Sequence, residues 1–275
     1  MGEVTGSTGT GDASTTAPTT RRSEREGVIT LCFTRPDKLN ALTPEMIEAI
    51  GDAVDALAAR DDLKVLVITG QGRYFTSGVD IGASMPMGAD ANATNARRNG
   101  RRMHAVFDRI EAVEKPVVLA AQGPCWGAGL ELAVSCDFRL AAQQSTFALP
   151  EIRLGMVPSS GGVSRLTRLV GTGWARWLAM AGRVITADQA LSMGLAHEVY
   201  PADEFDERVR SFVDELCALP TEAVGLAKIT IGVCAELGPE RGRDVERLTA
   251  GIIVSTSEYR DRVRSFVERN KTNKT

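Results

Sequence analysis

The chain is nearly without histidine. Among its 275 residues only His104 and His197 are histidines, and the five cysteines, Cys32, Cys125, Cys136, Cys217 and Cys234, include no Cys-x-x-Cys pair. A Cys/His zinc centre is therefore not expected. Cys125 stands just before a glycine-rich turn at Gly127–Gly129, but no histidine lies close to it in sequence to activate a thiolate. An odd number of cysteines without a pairing pattern fits reduced thiols in a cytoplasmic setting. Charge of one sign is scarce too: a net charge of −3 gives no reason to expect nucleic acid as the main partner. Nowhere do about 18 apolar residues follow one another, so no helix is expected to span a membrane.

The first 26 residues hold almost no large apolar side chains, and Thr, Ser and Gly dominate from Thr5 to Thr20. Such a segment buries too little surface to offset its ordering entropy, which predicts a disordered tail over 1–26. It has no apolar core of the secretory type. Arg21, Arg22 and Arg25 would suit a transit peptide, but Glu3, Asp12, Glu24 and Glu26 argue against one.

The chain as a whole has the composition of a globular protein, 43% hydrophobic and 24% charged. From Gly27 onward the pattern is that of regular structure. Val28, Ile29, Leu31, Cys32 and Phe33 predict a strand ending at Arg35-Pro36. Thr43 is a good N-cap and Pro44 suits the first position of a helix whose buried stripe is Met46, Ile47, Ile50, Val54 and Leu57. Val65–Ile68 is wholly apolar, as in a sheet covered on both faces. Residues 82–100, rich in Gly, Ala and Asn, read as a mobile loop before a helix from about Arg101 to Glu114. Strands are expected at 116–121 and 137–142, with a helix through Leu130–Val134 between them. After Gly161 the pattern is mainly helical. Thr186 and Gln189 form a capping box, Gly194 stops that helix, and four more helices run across 202–217, 221–234, 240–255 and 258–269. The architecture implied is a βα core over 27–200 and a helical region over 201–275.

Chemistry concentrates around two glutamates. Glu131 follows Gly127-Ala128-Gly129 at a helix start, where free N–H groups and the helix dipole favour negative charge. Glu151 sits in an apolar stretch, Phe147–Leu154, where a carboxylate must be exposed, paired or used; a salt bridge to Arg153 is the plain alternative. Phe75-Thr76-Ser77-Gly78-Val79 is a second turn after a buried strand, and strand carboxyl ends are where open α/β sheets place ligands. Two carboxylates close together push their pKa values apart and supply an acid and a base, while amides from two turns make an oxyanion hole.

Taken together, these residues resemble the crotonase, or enoyl-CoA hydratase/isomerase, superfamily across most of 27–270. The likeness is carried by Arg35-Pro36-Asp37-Lys38-Leu39-Asn40-Ala41-Leu42, Arg73–Ile81, Gly123–Gly129, Glu131-Leu132-Ala133 with Cys136-Asp137, and Pro150–Gly155 with Pro158 and Gly161-Gly162. The resemblance implies an α/β fold, a crotonase-like ββα spiral core with a C-terminal helical trimerisation region, assembled as a homotrimer or a dimer of trimers. It implies an acyl thioester of coenzyme A as substrate, with no metal or further cofactor. The implied reaction is hydration of a 2-trans-enoyl-CoA, as in fatty acid metabolism. Glu131 then acts as base toward water, and Glu151 as proton donor to C2. The backbone N–H groups of Val79 and Ala128 hold the thioester oxygen. Coenzyme A lies along Arg73, Thr76, Ser77, Gly78 and Ile81. Departures are Val79 for a frequent Ala, Ala128 for a frequent Gly, Gly82 where many hydratases carry Lys, and Arg262 for a frequent Gly; residues 83–100 also differ from the usual acyl-pocket segment. Double-bond isomerisation needs only one glutamate and is the second reading. A catalytically idle acyl-CoA binder is the third. An RNA-binding surface at Arg97, Arg98, Arg101, Arg102, His104 and Arg109 is the fourth.

Overall fold

The computed structural model describes residues 18–84 and 92–272. From Val28 onward the chain climbs through a repeated unit: a strand in a large sheet, a short extended piece in a second layer, then a helix. The first turn is β2 (Val28–Phe33), Leu42 and α1 (Pro44–Ala59). The second is β3 (Val65–Gly70), the segment Thr76–Val79, then α2 (Ile81–Ser84) and α3 (Ala93–Ala112). The third is β4 (Val117–Ala121), β5 (Cys125–Trp126) and α4 (Ala128–Ala133). The fourth is β6 (Phe138–Ala142), β7 (Thr146–Ala148), a 3-10 turn at Pro150–Leu154 and α5 (Gly162–Ala175).

The large sheet has the order β1-β2-β3-β4-β6-β9, with β1 at Thr20–Arg25 and β9 at Glu198–Tyr200. All its pairs are parallel except β1 with β2. The second layer holds β5, β7 and β8 (Ile185–Thr186), extended by the bridges Leu42–Val79 and Thr76–Cys125. A chain that alternates between two layers while each strand pairs with its counterpart one turn earlier is a ββα spiral.

Burial follows from the pleat. On β3, Leu66 and Ile68 join the core shared with Met46, Ile50 and Leu57 of α1 and Phe107 and Ile110 of α3. Val65 and Val67 face the other way, against Phe205, Val209 and Val213 of α7 (Phe205–Ala218). The apolar strand is covered on both faces, as its composition predicts. Thr43 caps α1, accepting from the Met46 amide, and the capping box at Thr186–Gln189 opens α6 (Ala187–Ser192). Three more helices, α8 (Thr221–Cys234), α9 (Pro239–Val254) and α10 (Ser257–Thr272), complete the C-terminal region.

Two expectations fail. The tail predicted as disordered through residue 26 is a strand over Thr20–Arg25, antiparallel to β2; residues 1–17 lie outside the described residues. Its order comes from backbone pairing rather than burial, which a search for apolar residues does not see. Glu26 and Gly27 both have positive φ, 47° and 84°, as a two-residue hairpin turn with right-handed strand twist requires. The strand is charged along its length, with Arg22 and Arg60 both on Glu24 and Arg25 on Asp214, a composition that discourages further edge pairing. The predicted loop over 82–100 is also helical where described. Asn92 caps α3 by accepting from the Thr94 and Asn95 amides, so α3 starts eight residues before Arg101, while 85–91 lie outside the described residues. Small and amide residues hid this helix because they carry no apolar stripe.

Gly27→Val should be destabilising by ~1–3 kcal/mol, the cost of a β-branched residue in a left-handed position, measured by denaturant unfolding. Turnover per folded molecule should be unchanged.

Candidate active site

Consecutive turns of the spiral meet at one place. Leu42 N–H donates to Gly78 O at 2.8 Å and Asp80 N–H donates to Leu42 O at 2.9 Å. The Val79 amide between them takes part in neither bond. In the next turn Thr76 N–H donates to Pro124 O and Trp126 N–H to Thr76 O, each at 3.1 Å. Gly127 N–H then donates to Ala148 O of the turn after, at 2.9 Å. Ala128 is the first residue of α4, where an N–H has no acceptor within the helix. Two amides from adjacent turns are thus left for a ligand. The turns approach so closely that side chains are excluded: Gly78 and Gly127 have φ of 104° and 55°, and a Cβ on Gly127 would stand 3.2 Å from Glu151 Oε1.

The motif Arg35–Leu42 braces the second of these turns. Buried Asn40 accepts from Arg35 N–H, and its amide donates to Gln71 O and Tyr74 O. Arg35 pairs with Asp80 at 3.1 Å, one residue beyond Val79. Neither Asn40 nor Arg35 stands out by chemistry in the sequence, although both belong to the motif that carries the resemblance.

Glu131 lies in the first turn of α4 and is 4% exposed. Its Oε1 accepts from Ser160 N–H at 2.8 Å. Burial raises its pKa, while amide donors at Ser160, Gly162 and Ser159 and the nearby His104 oppose that rise. Glu151 sits in the 3-10 turn that follows β7. Its Oε2 is buried without a hydrogen-bond partner. Burial first, and the charge of Glu131 second, push its carboxyl up to about 7, against an opposing backbone hydrogen bond. The two acids therefore differ: Glu131 is held as an acceptor by several loop amides, whereas Glu151 keeps one buried oxygen without a partner and has the carboxyl pushed up to about 7. Arg153 does not pair with Glu151; it donates to Gly182 O at 3.0 Å.

Both glutamates, Val79 and Ala128 line one cavity of ≈ 1180 Å³. Ser77, Gly78 and Ile81 line it as well. Two residues expected along coenzyme A, Thr76 and Arg73, do not line this cavity. Thr76 is fully buried, its hydroxyl donating to Asn40 O and accepting from Gly78 N–H, so it shapes the turn from behind. Arg73 is exposed outside the cavity lining and stacks its guanidinium over Tyr74 at 5.0 Å. Cys125 is wholly buried, which drives its thiol well above the ordinary range and leaves it no nucleophilic role. The arginine cluster on α3 is divided: Arg102 lines the cavity, Arg109 pairs with Asp55, and His104 bonds Ser159 O. No metal-ligating group of three or more His, Cys, Asp or Glu occurs among the described residues.

Residues 23–274 match the enoyl-CoA hydratase/isomerase family. A crotonyl-CoA hydratase of Syntrophomonas wolfei is 34% identical over 251 residues, covering 91% of this chain and 95% of that protein. A short-chain-enoyl-CoA hydratase of Clostridium acetobutylicum is 32% identical over 250 residues, with 90% and 94% covered. Among solved structures, an enoyl-CoA hydratase from Bacillus anthracis superposes with a TM-score of 0.86 at 26% identity, covering 92% of this chain and 97% of that one.

The raised Glu151 pKa makes stability depend on pH. The folded state holds this proton more tightly than the unfolded one, so between the ordinary value of 4.5 and about 7 the native protein carries the extra proton. The stabilisation is complete below that window and is lost as pH rises through it. Glu151→Gln, neutral throughout, should gain ~1–2 kcal/mol over the wild type on going from pH 4 to pH 8, after allowing for partial solvent access. Urea unfolding at the two pH values measures this; a pH-independent difference would contradict it.

Proposed function

The chain belongs to the enoyl-CoA hydratase/isomerase family, and we propose that it is an enoyl-CoA hydratase, adding water across the 2,3 double bond of a 2-trans-enoyl-CoA to give the 3-hydroxyacyl-CoA. What carries the reading is the pairing, in one cavity, of two differently held carboxyls with two amides that have no acceptor of their own. Isomerisation needs a single acid; a second, with one buried oxygen left unpartnered, is explained by hydration.

Each group takes the task its surroundings suit. The thioester carbonyl enters between the Val79 and Ala128 N–H groups. Glu131, held in place by the Ser160 amide, accepts a proton from water as the water oxygen adds to C3. Negative charge passes through the conjugated system to the thioester oxygen, where the two amides meet it; one such donor is typically worth ~10²–10³ in rate. Glu151 delivers its proton to C2, on the same face. A carboxyl near 7 is well matched to that step at neutral pH. Coenzyme A is part of the substrate and no metal or redox group enters. Ser77, Gly78 and Ile81 form the wall along which it lies, and Arg73 is the cation at the start of that loop available to its phosphates.

The chain's C-terminal helices leave large apolar side chains uncovered. Ile231, Leu248 and Phe266 are 71%, 70% and 61% exposed. So broad an apolar surface suits subunit contacts, and a trimer or a pair of trimers is the assembly proposed.

Incubation with crotonyl-CoA should lower the conjugated thioester absorbance until the hydration equilibrium is reached. Persistence of that absorbance with short, long and branched enoyl-CoA alike would remove the assignment. Glu131→Gln and Glu151→Gln should each fold and lose ~10²–10⁴ in kcat; near-normal turnover by either would count against its role. Light scattering should give the mass of three or six subunits, and Leu248→Glu should lower it.

A further inference from the structure

The donor that holds Glu131 is a loop amide, and the groups that hold the loop come from two other helices. Ser160 stands between two peptide planes. The first contains Ser159 O and Ser160 N–H, which donates to Glu131 Oε1 at 2.8 Å. On the opposite edge of that plane, Ser159 O accepts from His104 Nε2 of α3. The second plane contains Ser160 O, which accepts from Arg165 Nη1 of α5 at 3.2 Å. Arg165 is in turn held by α3, donating to Asp108 Oδ1 at 2.5 Å and Glu111 Oε2 at 2.6 Å. Its side chain is 12% exposed, whereas those two carboxylates are 66% and 50% exposed. Ser160 Oγ also donates to Met103 Sδ at 3.1 Å.

We propose that Arg165 and His104 are positioning residues for the general base: they clamp the carbonyls on either side of Ser160 and so aim its N–H at Glu131. Fixing both flanking carbonyls fixes φ and ψ of the one residue between them. The geometry needs space as well. A Cβ on Gly162 would stand 2.7 Å from Glu131 Oε1, so the glycine is what lets the carboxyl reach the loop. A surface ion pair contributes little to stability, but Arg165 is a nearly buried cation whose Nε finds no acceptor. Such an arrangement costs the fold something, and its return is the placement of the Ser160 peptide. The inference rests on the hydratase reading for the name of the base, not for the geometry. The charged or titratable groups around Glu131 are Glu151 from the 3-10 turn, His104 from α3, and, one bond removed, Arg165 from α5 with Asp108 and Glu111 from α3.

The test compares R165M and R165K with wild type in crotonyl-CoA hydration across pH. Loosening the Ser160 peptide should lower kcat about ten- to a hundredfold, leave KM within a few-fold, and move the acidic limb of the kcat profile to higher pH, because the Glu131 anion loses a donor. R165K, which keeps the charge but not the fork, should fall between. A purely structural role would scale kcat equally at every pH and leave the limb in place; that outcome overturns the proposal. If R165M does not fold, R165K carries the same comparison. A readout independent of turnover is the Glu131 carboxyl titration by ¹³C NMR, which should shift upward in R165 variants and in H104A. An unmoved titration sinks the clamp even if hydration is confirmed. A titration that moves in the variants, when the wild type hydrates nothing, sinks the hydratase reading and keeps the clamp.

Discussion

The site depends on lateral hydrogen bonding between turns of the spiral in its second, smaller layer. The bridges Leu42–Val79 and Thr76–Cys125 and the bond from Gly127 N–H to Ala148 O set the spacing between successive turns. That spacing sets the distance between the Val79 and Ala128 amides and brings Glu151 up against Gly127. The groups come from three successive turns: Val79 from the second, Ala128 and Glu131 from the third and Glu151 from the fourth. The large sheet contributes rigidity, buried by α1 and α3 on one face and α7 on the other.

The electrostatics follow from burial rather than from any dedicated cation. No arginine or lysine pairs with Glu131 or Glu151 among the described residues. Both carboxyls rise because water is removed, and they separate because three loop amides oppose the rise at Glu131 while Glu151 has only its own backbone and keeps one oxygen unpartnered. Placing an arginine or lysine beside either acid would hold it ionised and remove the asymmetry on which the proposed acid and base roles rest.

Much of this was legible from the chain. Thr43-Pro44 opens α1, the apolar run at Val65 is covered twice, the Thr186–Gln189 box caps α6, and the two glutamates do share a cavity with Val79 and Ala128. The failures share an absence of side-chain period: the first turns of α3 carry small and amide residues, and the short strands are made by backbone pairing. The strand at Thr20–Arg25 and the two- and three-residue strands β5, β7 and β8 have too few side chains to show a period, and only their partners elsewhere in the chain define them. Thr76 was legible as part of the right turn but not as its inward-facing anchor, because hydroxyl direction is fixed by Asn40, 36 residues earlier. Ser160 itself carried no chemical signal, since it contributes a main-chain N–H, although Pro158 and Gly161-Gly162 around it belong to the residues that carry the resemblance.

Helix α3 serves two ends at once. Ala96, Gly100 and Met103 form part of the cavity wall, while His104, Asp108 and Glu111 on the same rod reach toward the Ser159–Arg165 corner. A rigid helix transmits displacement along its axis, so enlarging or shrinking the wall by a bulky replacement would tug on the far corner as well. The cavity wall and the corner that holds Glu131 thus hang on one helix, and a change at either end is felt at both.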